Sequence, residues 1–434
     1  MFAERRQRFV ESMGSDSVAI VQGANTPTRS NDTEYPFRQN SDFWYLTGFE
    51  HPGATAVFRT TGEAPAYTLF VQPRDKAAQT WTGYRPGVEG ATADYGADAA
   101  HGCEELLEKL PELLGGASRI YHSLGRRADT DQRLCEIQED LRLRSRQGVQ
   151  PASELLDPRT ILHEMRLTKC NAELDIMRRA ADISREAHFE TARMMAPGRY
   201  EYELEATLGY VFRRRGGAGP AYGSIVAGGA SAAVLHYVSN DRPLVDGELV
   251  LIDAGVELEG YASDVTRTYP VNGHFEGVRG AIYDTVLTAQ RAALLAVRPG
   301  ATLPAIHDLT VRHLVEGMLE LGLMQGEADE LIEKEAYKRY YMHGTSHWLG
   351  LDVHDVGSYM DGEKPRDLAP GMVLTVEPGI YVRADDEEAP EALRGIGVRI
   401  EDDVVVTADG CENLTRAIPK DPADVEAWMR DEGA

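Results

Sequence analysis

The chain has 434 residues, and its 45 lysines and arginines against 70 aspartates and glutamates give a formal net charge of −25. This acidic balance argues against nucleic acid or an anionic membrane as a partner, because binding to those surfaces requires a basic face. A hydrophobic share of 42% and a charged share of 26% are typical of a globular protein, and the length predicts about two or three domains.

The sequence predicts a cytoplasmic protein. No apolar run approaches the ~18 residues of a membrane span, and no apolar stretch of signal-peptide length follows the charged N-terminus. The four cysteines lie far apart and form no C-x-x-C pair, which argues against a disulfide framework and a zinc ribbon.

The first domain is predicted to comprise residues 1–160. Short apolar runs alternate there with helical stretches, a pattern typical of a small α/β domain. The boundary is placed near residue 160, because the segment 155–169 contains a proline and changes into a long amphipathic pattern. The predicted elements are strands at 18–22, 67–71 and 119–124 and a helix at 104–114.

The second domain, 161–434, is predicted to mix helices with strands and hairpins, so that the whole chain is of the α/β (α+β) class. Apolar residues recur at three- and four-residue intervals, and Pro-Gly or Gly-Gly pairs end the first two helices. The predicted helices cover 169–195, 201–215, 278–297 and 304–323.

Several common catalytic motifs are absent from the sequence. It has no H-E-x-x-H zinc motif, no P-loop and no G-x-S-x-G nucleophile elbow. The glycine-rich stretch GGAGPAYG, 216–223, does not match the dinucleotide fingerprint. Nucleotide binding and zincin chemistry are therefore not expected.

The stretch ELVLIDAGVELEGYASDVTRTYPV, 248–271, predicts a hairpin with two aspartates. If Leu258 and Glu259 form a two-residue turn, Asp253 and Asp264 lie directly opposite each other, with Cβ atoms about 4.5 to 5.5 Å apart. Two buried, facing carboxylates require a cation, a shared proton or a basic partner between them. The hairpin alone leaves two interpretations open: a metal site, or one aspartate that points to solvent.

A histidine cluster occupies the stretch MHGTSHWLGLDVHDVG, 342–357. Each of its histidines could be a hydrogen-bonded core residue, but three together beside Gly344 and Gly350 suggest a backbone arranged around a site. They are His343, His347 and His354.

Two glutamates follow apolar strands nearer the C-terminus. Glu377 comes just before Pro-Gly in MVLTVEPGIY, and Glu401 follows an alternating strand on which Arg399 shares its face. A charge at the end of a buried strand is often only a cap. Two such glutamates in a chain that also has the paired aspartates favour a common site.

Together these motifs supply two aspartates, two glutamates and one histidine. Four carboxylates carry −4, which two divalent cations would neutralise. Oxygen ligands with one imidazole suit Mn²⁺, Co²⁺ or Fe²⁺ at least as well as Zn²⁺. Two such ions can activate water and polarise a carbonyl, so the predicted chemistry is amide or ester hydrolysis.

The motifs, in this order, resemble the catalytic domain of the creatinase and methionine aminopeptidase superfamily, and within it the bacterial aminopeptidase P (Xaa-Pro aminopeptidase) family. The segments TEYPFRQNSDFWYLTGF, 33–49, and HEMRLTK, 163–169, are similar to that family's N-terminal domain and inter-domain junction. The resemblance covers almost the whole chain. It implies a C-terminal pita-bread catalytic domain that follows a smaller, creatinase-like α/β domain.

The resemblance also implies a dinuclear metal centre. Two divalent ions, usually manganese in this family, would share a bridging hydroxide, with Asp264 and Glu401 as bridging ligands. The implied ligands are Asp253, Asp264, His347, Glu377 and Glu401.

Residues around the metals are implied by the same resemblance. His236 and His354 would position the scissile carbonyl and stabilise the oxyanion, and His343 would line the same cleft. Arg399 would orient a ligand carboxylate, and Tyr381 would lie near the metals.

The implied substrates are peptides with proline at the second position, from which the N-terminal residue is released. That bond is a tertiary amide without an N–H, so it needs a dedicated pocket. Prolidase, which cleaves Xaa-Pro dipeptides, is the alternative, but HDVGSYM, 354–360, lacks the second glycine associated with it. A non-catalytic pita-bread binding protein is disfavoured because all five ligands are present.

Assembly is predicted from Trp81, which lies in a predicted loop, QTWTGYRPG, 79–87. Burial of its large apolar surface would require a contact beyond its own loop. The resemblance implies a homotetramer in which a tryptophan at this place reaches a neighbour's active site, although a dimer is also possible. The alternative is that Trp81 packs on its own domain.

Overall fold

The computed structural model of the chain describes residues 1–62 and 66–430. The chain divides into two compact units, of which the first is Met1–Met165 and the second begins at Arg166. The division falls inside the helix Arg159–Leu167, a few residues after the domain boundary predicted from the sequence.

The first unit contains eight strands among the residues described: β1 (Ser17–Gln22), β2 (Thr28–Ser30), β3 (Thr33–Glu34), β4 (Thr55–Arg59), β5 (Tyr67–Val71), β6 (Ala99–Gly102), β7 (Arg119–His122) and β8 (Glu154–Leu156). Six of them form one mixed sheet in the order β6-β5-β4-β1-β7-β8. Strand β1 is buried along its whole length because it lies inside the sheet, antiparallel to β4 and parallel to β7.

Helices cover this sheet: α1 (Phe2–Met13), α2 (Ser41–Thr47), α3 (Lys76–Thr82), α4 (Gly87–Ala93), α5 (Leu106–Leu113), α6 (Ala128–Leu143) and α7 (Arg159–Leu167), with 3₁₀ turns at Cys103–Glu105 and Ser145–Gln147. Helix α5 places Leu106, Leu110 and Leu113 on one face, at the spacing expected of an amphipathic helix. These leucines pack against Val18 and Ile20 of β1.

The prediction that Trp81 lies in a loop is wrong, because this residue belongs to helix α3. The Asp75 side chain caps the helix by accepting hydrogen bonds from the Ala77 and Ala78 amides, and Gly83, at φ 83°, ends it. The Trp81 side chain is 88% exposed. Its packing on its own domain is therefore also excluded.

The second unit contains helices α8 (Asn171–Met194), α9 (Glu201–Arg214), α10 (Gly277–Ala296), α11 (Leu303–Glu320), α12 (Ala328–Glu333) and α13 (Pro422–Met429), with 3₁₀ turns at Gly229–Ala233, Ala336–Arg339 and Glu391–Leu393. The four helices predicted from the sequence correspond to α8 through α11, with ends that differ by at most a few residues.

Strands fill the rest of this unit: β9 (Gly219–Pro220), β10 (Ile225–Gly228), β11 (Leu249–Asp253), β12 (Val256–Leu258), β13 (Tyr261–Ala262), β14 (Thr266–Pro270), β15 (Met360–Asp361), β16 (Lys364–Pro365), β17 (Val373–Val376), β18 (Gly379–Val382), β19 (Ile396–Arg399), β20 (Asp402–Val406) and β21 (Cys411–Asn413). They form short sheets, ordered β10-β11-β14, β13-β12-β9, β17-β20-β21 and β18-β19, with β15-β16 as a separate hairpin. Helices α10 and α11 bury their apolar faces against β18 and β19.

The register of the aspartate hairpin differs from the prediction. Its turn is formed by Glu259 and Gly260, at φ 49° and 82°, and not by Leu258 and Glu259. A tight hairpin turn with two left-handed residues favours glycine at the second. Asp253 therefore pairs with Thr266, and Asp264 lies in the segment between β13 and β14.

A search of the described residues, 1–62 and 66–430, finds no helix with the length and apolar character needed to cross a membrane.

Candidate active site

A cleft of about 690 Å³ opens in the second unit. Three of its acidic residues lie at the ends of strands: Asp253 ends β11, Glu377 follows β17 and Glu401 follows β19. The cleft gathers most of the residues that the sequence singled out: His236, Asp253, Asp264, His343, His347, His354, Glu377, Arg399 and Glu401.

Asp253 and Asp264 lie side by side although they are not paired in the hairpin. The hydroxyl of Tyr222 is 2.5 Å from Oδ1 of each. Arg399 Nη2 donates to the second oxygen of Asp253 at 2.7 Å. The backbone N–H of Asp264 donates to Asp403 Oδ2 at 3.0 Å, which fixes the loop that carries Asp264.

His347 presents one ring nitrogen to the carboxylates. Its Nδ1 is 3.0 Å from the Trp348 carbonyl, which requires the proton on Nδ1, and its Nε2 lies 3.4 Å from Asp264 Oδ2 and 3.5 Å from Glu377 Oε1. Burial disfavours the charged ring, but the contact with Asp264 and the charge of Glu377 raise the pKa of His347 to about 9. The ring therefore faces a strongly negative site.

Glu401 is buried and Glu377 is half-buried, and both lie among other charged groups. Thr266 Oγ1 donates to Glu401 Oε2 at 2.6 Å, and the backbone N–H of Glu377 donates to the Thr345 carbonyl at 2.9 Å. Burial raises the pKa of Glu377 to about 7. Burial, together with the negative charge of Asp264 and Glu377, holds the pKa of Glu401 well above its usual range.

A hydrogen-bonded chain runs from Arg399 to His343. Arg399 Nη1 donates to the Tyr381 hydroxyl at 3.0 Å, and that hydroxyl is 2.8 Å from His343 Nε2. The His343 Nδ1 is 2.8 Å from the Gly344 carbonyl, so the proton lies on Nδ1 and Tyr381 donates to Nε2. Burial and the charge of Arg399 lower the pKa of His343 to about 4, which keeps the ring neutral.

His354 and His236 are the other two histidines of the cleft. The ring of His354 lies edge-on to the ring of His347, with centroids 4.5 Å apart, and burial followed by the charge of His347 lowers its pKa. His236 is exposed and lies on the segment that follows the 3₁₀ turn Gly229–Ala233.

The arrangement suits the binding of divalent cations. Asp264, His347 and Glu401 each offer a ligand atom, and these atoms lie within 4.8 Å of one another. Asp253 and Glu377 extend the group, so four carboxylates meet in one cleft. Those of Asp253, Asp264 and Glu401 are buried and that of Glu377 is half-buried, and Arg399 is the one arginine among the described residues that line the cleft. Such a cluster cannot be fully ionised without added positive charge, which is the role that metal ions would fill.

Comparisons with known families identify the chain. The family model described as "Metallopeptidase family M24" matches residues 175–408, and the model described as "Aminopeptidase P, N-terminal domain" matches residues 2–121. The chain belongs to the aminopeptidase P group of metallopeptidase family M24. A relative named Xaa-Pro aminopeptidase, from Escherichia coli strain K12, is 44% identical over 99% of this chain and 97% of the relative.

Solved structures agree with this assignment of the metallopeptidase. An aminopeptidase PepP from Pseudomonas aeruginosa superposes with a TM-score of 0.96 at 46% identity, covering 99% of this chain and 98% of the other. A zinc-substituted E. coli aminopeptidase P in complex with product gives a TM-score of 0.95 at 44% identity, covering 100% and 98%. The mixed α/β fold with an N-terminal domain and a pita-bread catalytic domain is therefore that of aminopeptidase P.

Two charged groups of this metallopeptidase were not found from the sequence. Asp402, next to Glu401, is buried. Its carboxylate accepts hydrogen bonds from Arg267 Nη2 at 2.7 Å and from Lys420 Nζ at 2.5 Å. Burial opposes ionisation, but these two cations hold the pKa of Asp402 far below its usual range. Arg267 also donates to the Glu401 carbonyl at 2.5 Å, so the pair fixes the backbone of a predicted ligand.

A second buried cluster supports the segment of His354. Asp355 accepts hydrogen bonds from Lys169 Nζ at 2.9 Å and from Arg166 Nη2 at 2.5 Å. Burial alone would raise the pKa of Asp355, but the charges of these two residues outweigh it and lower the pKa. Only a weak signal for this cluster is visible in the sequence, namely a lysine and an arginine in HEMRLTK. Their partner lies 186 and 189 residues away.

Tyr222 is the third group that sequence reasoning missed. It lies in GGAGPAYG, which was considered only as a nucleotide motif. A tyrosine after Gly-Pro carries no metal-site signal by itself. Its contact with both aspartates depends on strand pairing that the sequence alone does not specify.

Proposed function

We propose that this enzyme releases the N-terminal residue from peptides that have proline at the second position, using two divalent cations. The observation that carries the proposal is the meeting of four carboxylates, three of them buried, with the imidazole of His347 in one cleft. Relatives named Xaa-Pro aminopeptidase, and the E. coli aminopeptidase P structure with zinc and product, support it.

In this proposal the cations are held by Asp253, Asp264, His347, Glu377 and Glu401, with Asp264 and Glu401 shared between them. Two ions so placed would supply an activated water at neutral pH and polarise the scissile carbonyl. Manganese is the proposed metal, because oxygen ligands with one imidazole suit it and no thiolate favours zinc. Co²⁺, Fe²⁺ and Zn²⁺ are chemically compatible with the same ligands.

Protein groups around the ligands bind and orient the substrate. His354 and His236 donate hydrogen bonds to the carbonyl oxygen as negative charge develops on it. Arg399 holds Asp253 by one nitrogen and Tyr381 by another, so it keeps a ligand carboxylate oriented. Tyr381 in turn holds neutral His343 at the side of the cleft.

The charges of the cleft favour peptides over dipeptides. Among the described residues that line it, Arg399 is the one lysine or arginine, and its nitrogens donate to Asp253, Tyr381 and Thr266. The free carboxylate of an Xaa-Pro dipeptide would lie close to the metal site without a lysine or arginine to pair with it. The carboxylate of the dipeptide would therefore lose hydration without gaining an ion pair, which is costly.

The experiment that tests the proposed function is a comparison of matched substrates. Purified enzyme with Mn²⁺ is given an Xaa-Pro dipeptide and the corresponding Xaa-Pro-Xaa tripeptide, and kcat/KM is measured for both. We expect the tripeptide to be cleaved faster. Faster turnover of the dipeptide would reassign the enzyme as a prolidase, and turnover of neither would contradict the proposal.

Trp81 and a homotetramer form the second part of the proposal. An indole that is 88% exposed on a single chain is unusual for so large an apolar group, and a neighbouring copy would cover it. In the tetramer, Trp81 would reach the active site of a neighbour and contact substrate. A dimer would serve if it brought the same residue to the cleft.

Trp81→Ala is expected to raise KM for proline peptides several-fold without loss of bound metal, because the indole supplies substrate contact and no ligand. Steady-state kinetics and metal analysis measure both effects, and light scattering with size-exclusion chromatography measures the assembly. Leu143→Ala is the control, since Leu143 is a large apolar residue that is 75% exposed in the same unit. A fully active monomer would rule out this part of the proposal.

Two further assignments complete the proposed function. Residues 1–160 form the aminopeptidase P N-terminal domain and 161–434 the catalytic domain, which the two compact units and the two matched family models support. The protein acts in the cytoplasm, a location supported by four cysteines that are all free.

A further inference from the structure

Tyr222 lies on a short segment that is fixed at both ends by strand pairing. On one side Pro220 of β9 pairs with Val256, and the Ala221 amide donates to the Gly255 carbonyl at 2.9 Å. On the other side β10 pairs with β11, with Ile225 opposite Asp253. The backbone around Tyr222 is therefore held by the same strands that carry or flank Asp253.

The two oxygens of each aspartate have different partners. Oδ1 of Asp253 and Oδ1 of Asp264 both lie 2.5 Å from the Tyr222 hydroxyl. Oδ2 of Asp253 faces Arg399, and Oδ2 of Asp264 faces His347. Within residues 1–62 and 66–430, Tyr222 is the side chain whose hydroxyl lies within hydrogen-bonding distance of both carboxylates, and its single proton is donated to one of the two oxygens at a time.

The hairpin itself does not set the distance between these carboxylates. Asp253 pairs with Thr266, whereas Asp264 lies outside the strands in the segment between β13 and β14. Directly paired residues have fixed Cβ separations, but Asp264 has no such pair. The backbone of its segment is held by the Ala254 amide on the Val265 carbonyl and by the Ser263 amide on the Val256 carbonyl, both at 3.0 Å. What this pairing leaves open is the separation of the two carboxylate groups, which the Tyr222 hydroxyl contacts.

We propose that Tyr222 is a positioning residue that holds Asp253 and Asp264 at the separation needed to bind a divalent cation. The inference rests on the proposed function, because it assumes that both aspartates are metal ligands. It adds a residue that fixes the geometry of the pair before the cation arrives. Residues that orient metal ligands in this way typically contribute 10- to 100-fold to metal affinity.

The test is Tyr222→Phe, which keeps the ring and removes only the hydroxyl. Mn²⁺ binding is measured by calorimetry on metal-free protein, and we expect affinity to fall by about 10- to 100-fold. Since Tyr222 acts through the ligands, kcat should recover towards the wild-type value when Mn²⁺ is raised to saturation. That recovery separates a positioning role from a direct role in the chemistry.

Tyr261→Phe is the matched control. Tyr261 is also a buried tyrosine of this unit, and its hydroxyl donates to a carboxylate, Glu173, at 2.8 Å. Glu173 lies on α8 and is no part of the cleft. The control should bind Mn²⁺ as the wild type does. Equal weakening in both variants would assign the effect to general loss of packing and overturn the proposal.

A measurement on protein with an intact hydroxyl covers the case in which Tyr222→Phe fails to fold. 3-Fluorotyrosine placed at position 222 gives a single ¹⁹F signal, which should shift on addition of the first equivalent of diamagnetic Zn²⁺. An unchanged signal, or wild-type Mn²⁺ affinity in Tyr222→Phe, would overturn the proposal. Failure of the wild-type enzyme to bind metal would instead contradict the proposed function.

Discussion

Glu401→Ala is expected to bind less metal and to lose peptidase activity while the chain still folds. The Glu401 carboxylate lies within reach of the ligand atoms of Asp264 and His347, and in the proposed centre it is shared by both cations. Its removal takes away one negative charge and one shared ligand. Loss of either ion removes the activated water, so activity should fall to background.

The fold should survive this substitution because the backbone of Glu401 is held independently of its side chain. Its N–H donates to the Thr266 carbonyl at 3.0 Å, and its carbonyl accepts from Arg267 at 2.5 Å. Metal analysis, circular dichroism and a peptidase assay test the prediction. Glu330→Ala, at an exposed surface pair with Lys334, is the control. Full activity of Glu401→Ala in the presence of EDTA would show that no metal centre is required.

His354→Ala is expected to keep both metal ions and to lose kcat by about 10²-fold or more, the size of effect seen when an oxyanion donor is removed. The imidazole of His354 lines the cleft and lies edge-on to His347, while Nε2 of His347 faces the carboxylates of Asp264 and Glu377. His354 is therefore placed to contact substrate beside the proposed metal ions, and it is not needed to hold them.

Metal content and kcat of His354→Ala are measured against His274→Ala, a histidine that is exposed and outside the cleft. The control should match the wild type in both. A loss of one metal ion from His354→Ala would reassign His354 as a ligand, and an unchanged kcat would remove it from the catalytic groups.

Local patterns predicted much of the fold. Four of the six helices described in the second unit followed from apolar spacing, with Pro-Gly and Gly-Gly stops after the first two, and α8 through α11 have nearly the predicted bounds. The strands 18–22 and 67–71 were apolar runs, and β1 and β5 occupy them. Signals of this kind depend on residues close together in sequence, which is why they can be read from one chain.

The hairpin register and Trp81 were predicted wrongly because small local preferences decided them. Because Gly260 favours the second position of the turn, the turn lies one residue later than predicted, and this changes every cross-strand pair. The threonines and glycine around Trp81 predicted a loop, but the segment forms a helix that the Asp75 side chain caps. Both signals are present in the sequence, but neither outweighs the alternatives without the structure.

The surroundings of the candidate site depended on contacts between distant segments. Glu377 and Glu401 stood out because they follow apolar strands, and Asp253 and Asp264 because they belong to a predicted hairpin. His347 stood out as one of a histidine cluster, and the resemblance to a known family selected it as the ligand. Tyr222, by contrast, is 31 residues from Asp253 and 42 from Asp264. Only the pairing of β9 with β12 and of β10 with β11 brings it to them.

Two pairs of acidic residues in the catalytic unit differ in their electrostatic surroundings. Asp355 and Asp402 are neutralised by arginine and lysine side chains, and their pKa values lie below the usual range. Such groups contribute stability above the unfolded pKa and lose it only as the pH falls through the folded one. Glu377 and Glu401, whose pKa values are raised, have no comparable protein partner and protonate first on acidification.

This difference separates two ion-paired carboxylates of the scaffold from two of the proposed metal ligands. Mild acid should protonate Glu377 and Glu401 while the ion pairs at Asp355 and Asp402 remain charged. In the proposed metal centre, we therefore expect cations to be released and bound again while the framework stays folded. Metal exchange would then be a local reaction of the cleft, and the available metal pool would determine which cation the folded protein carries.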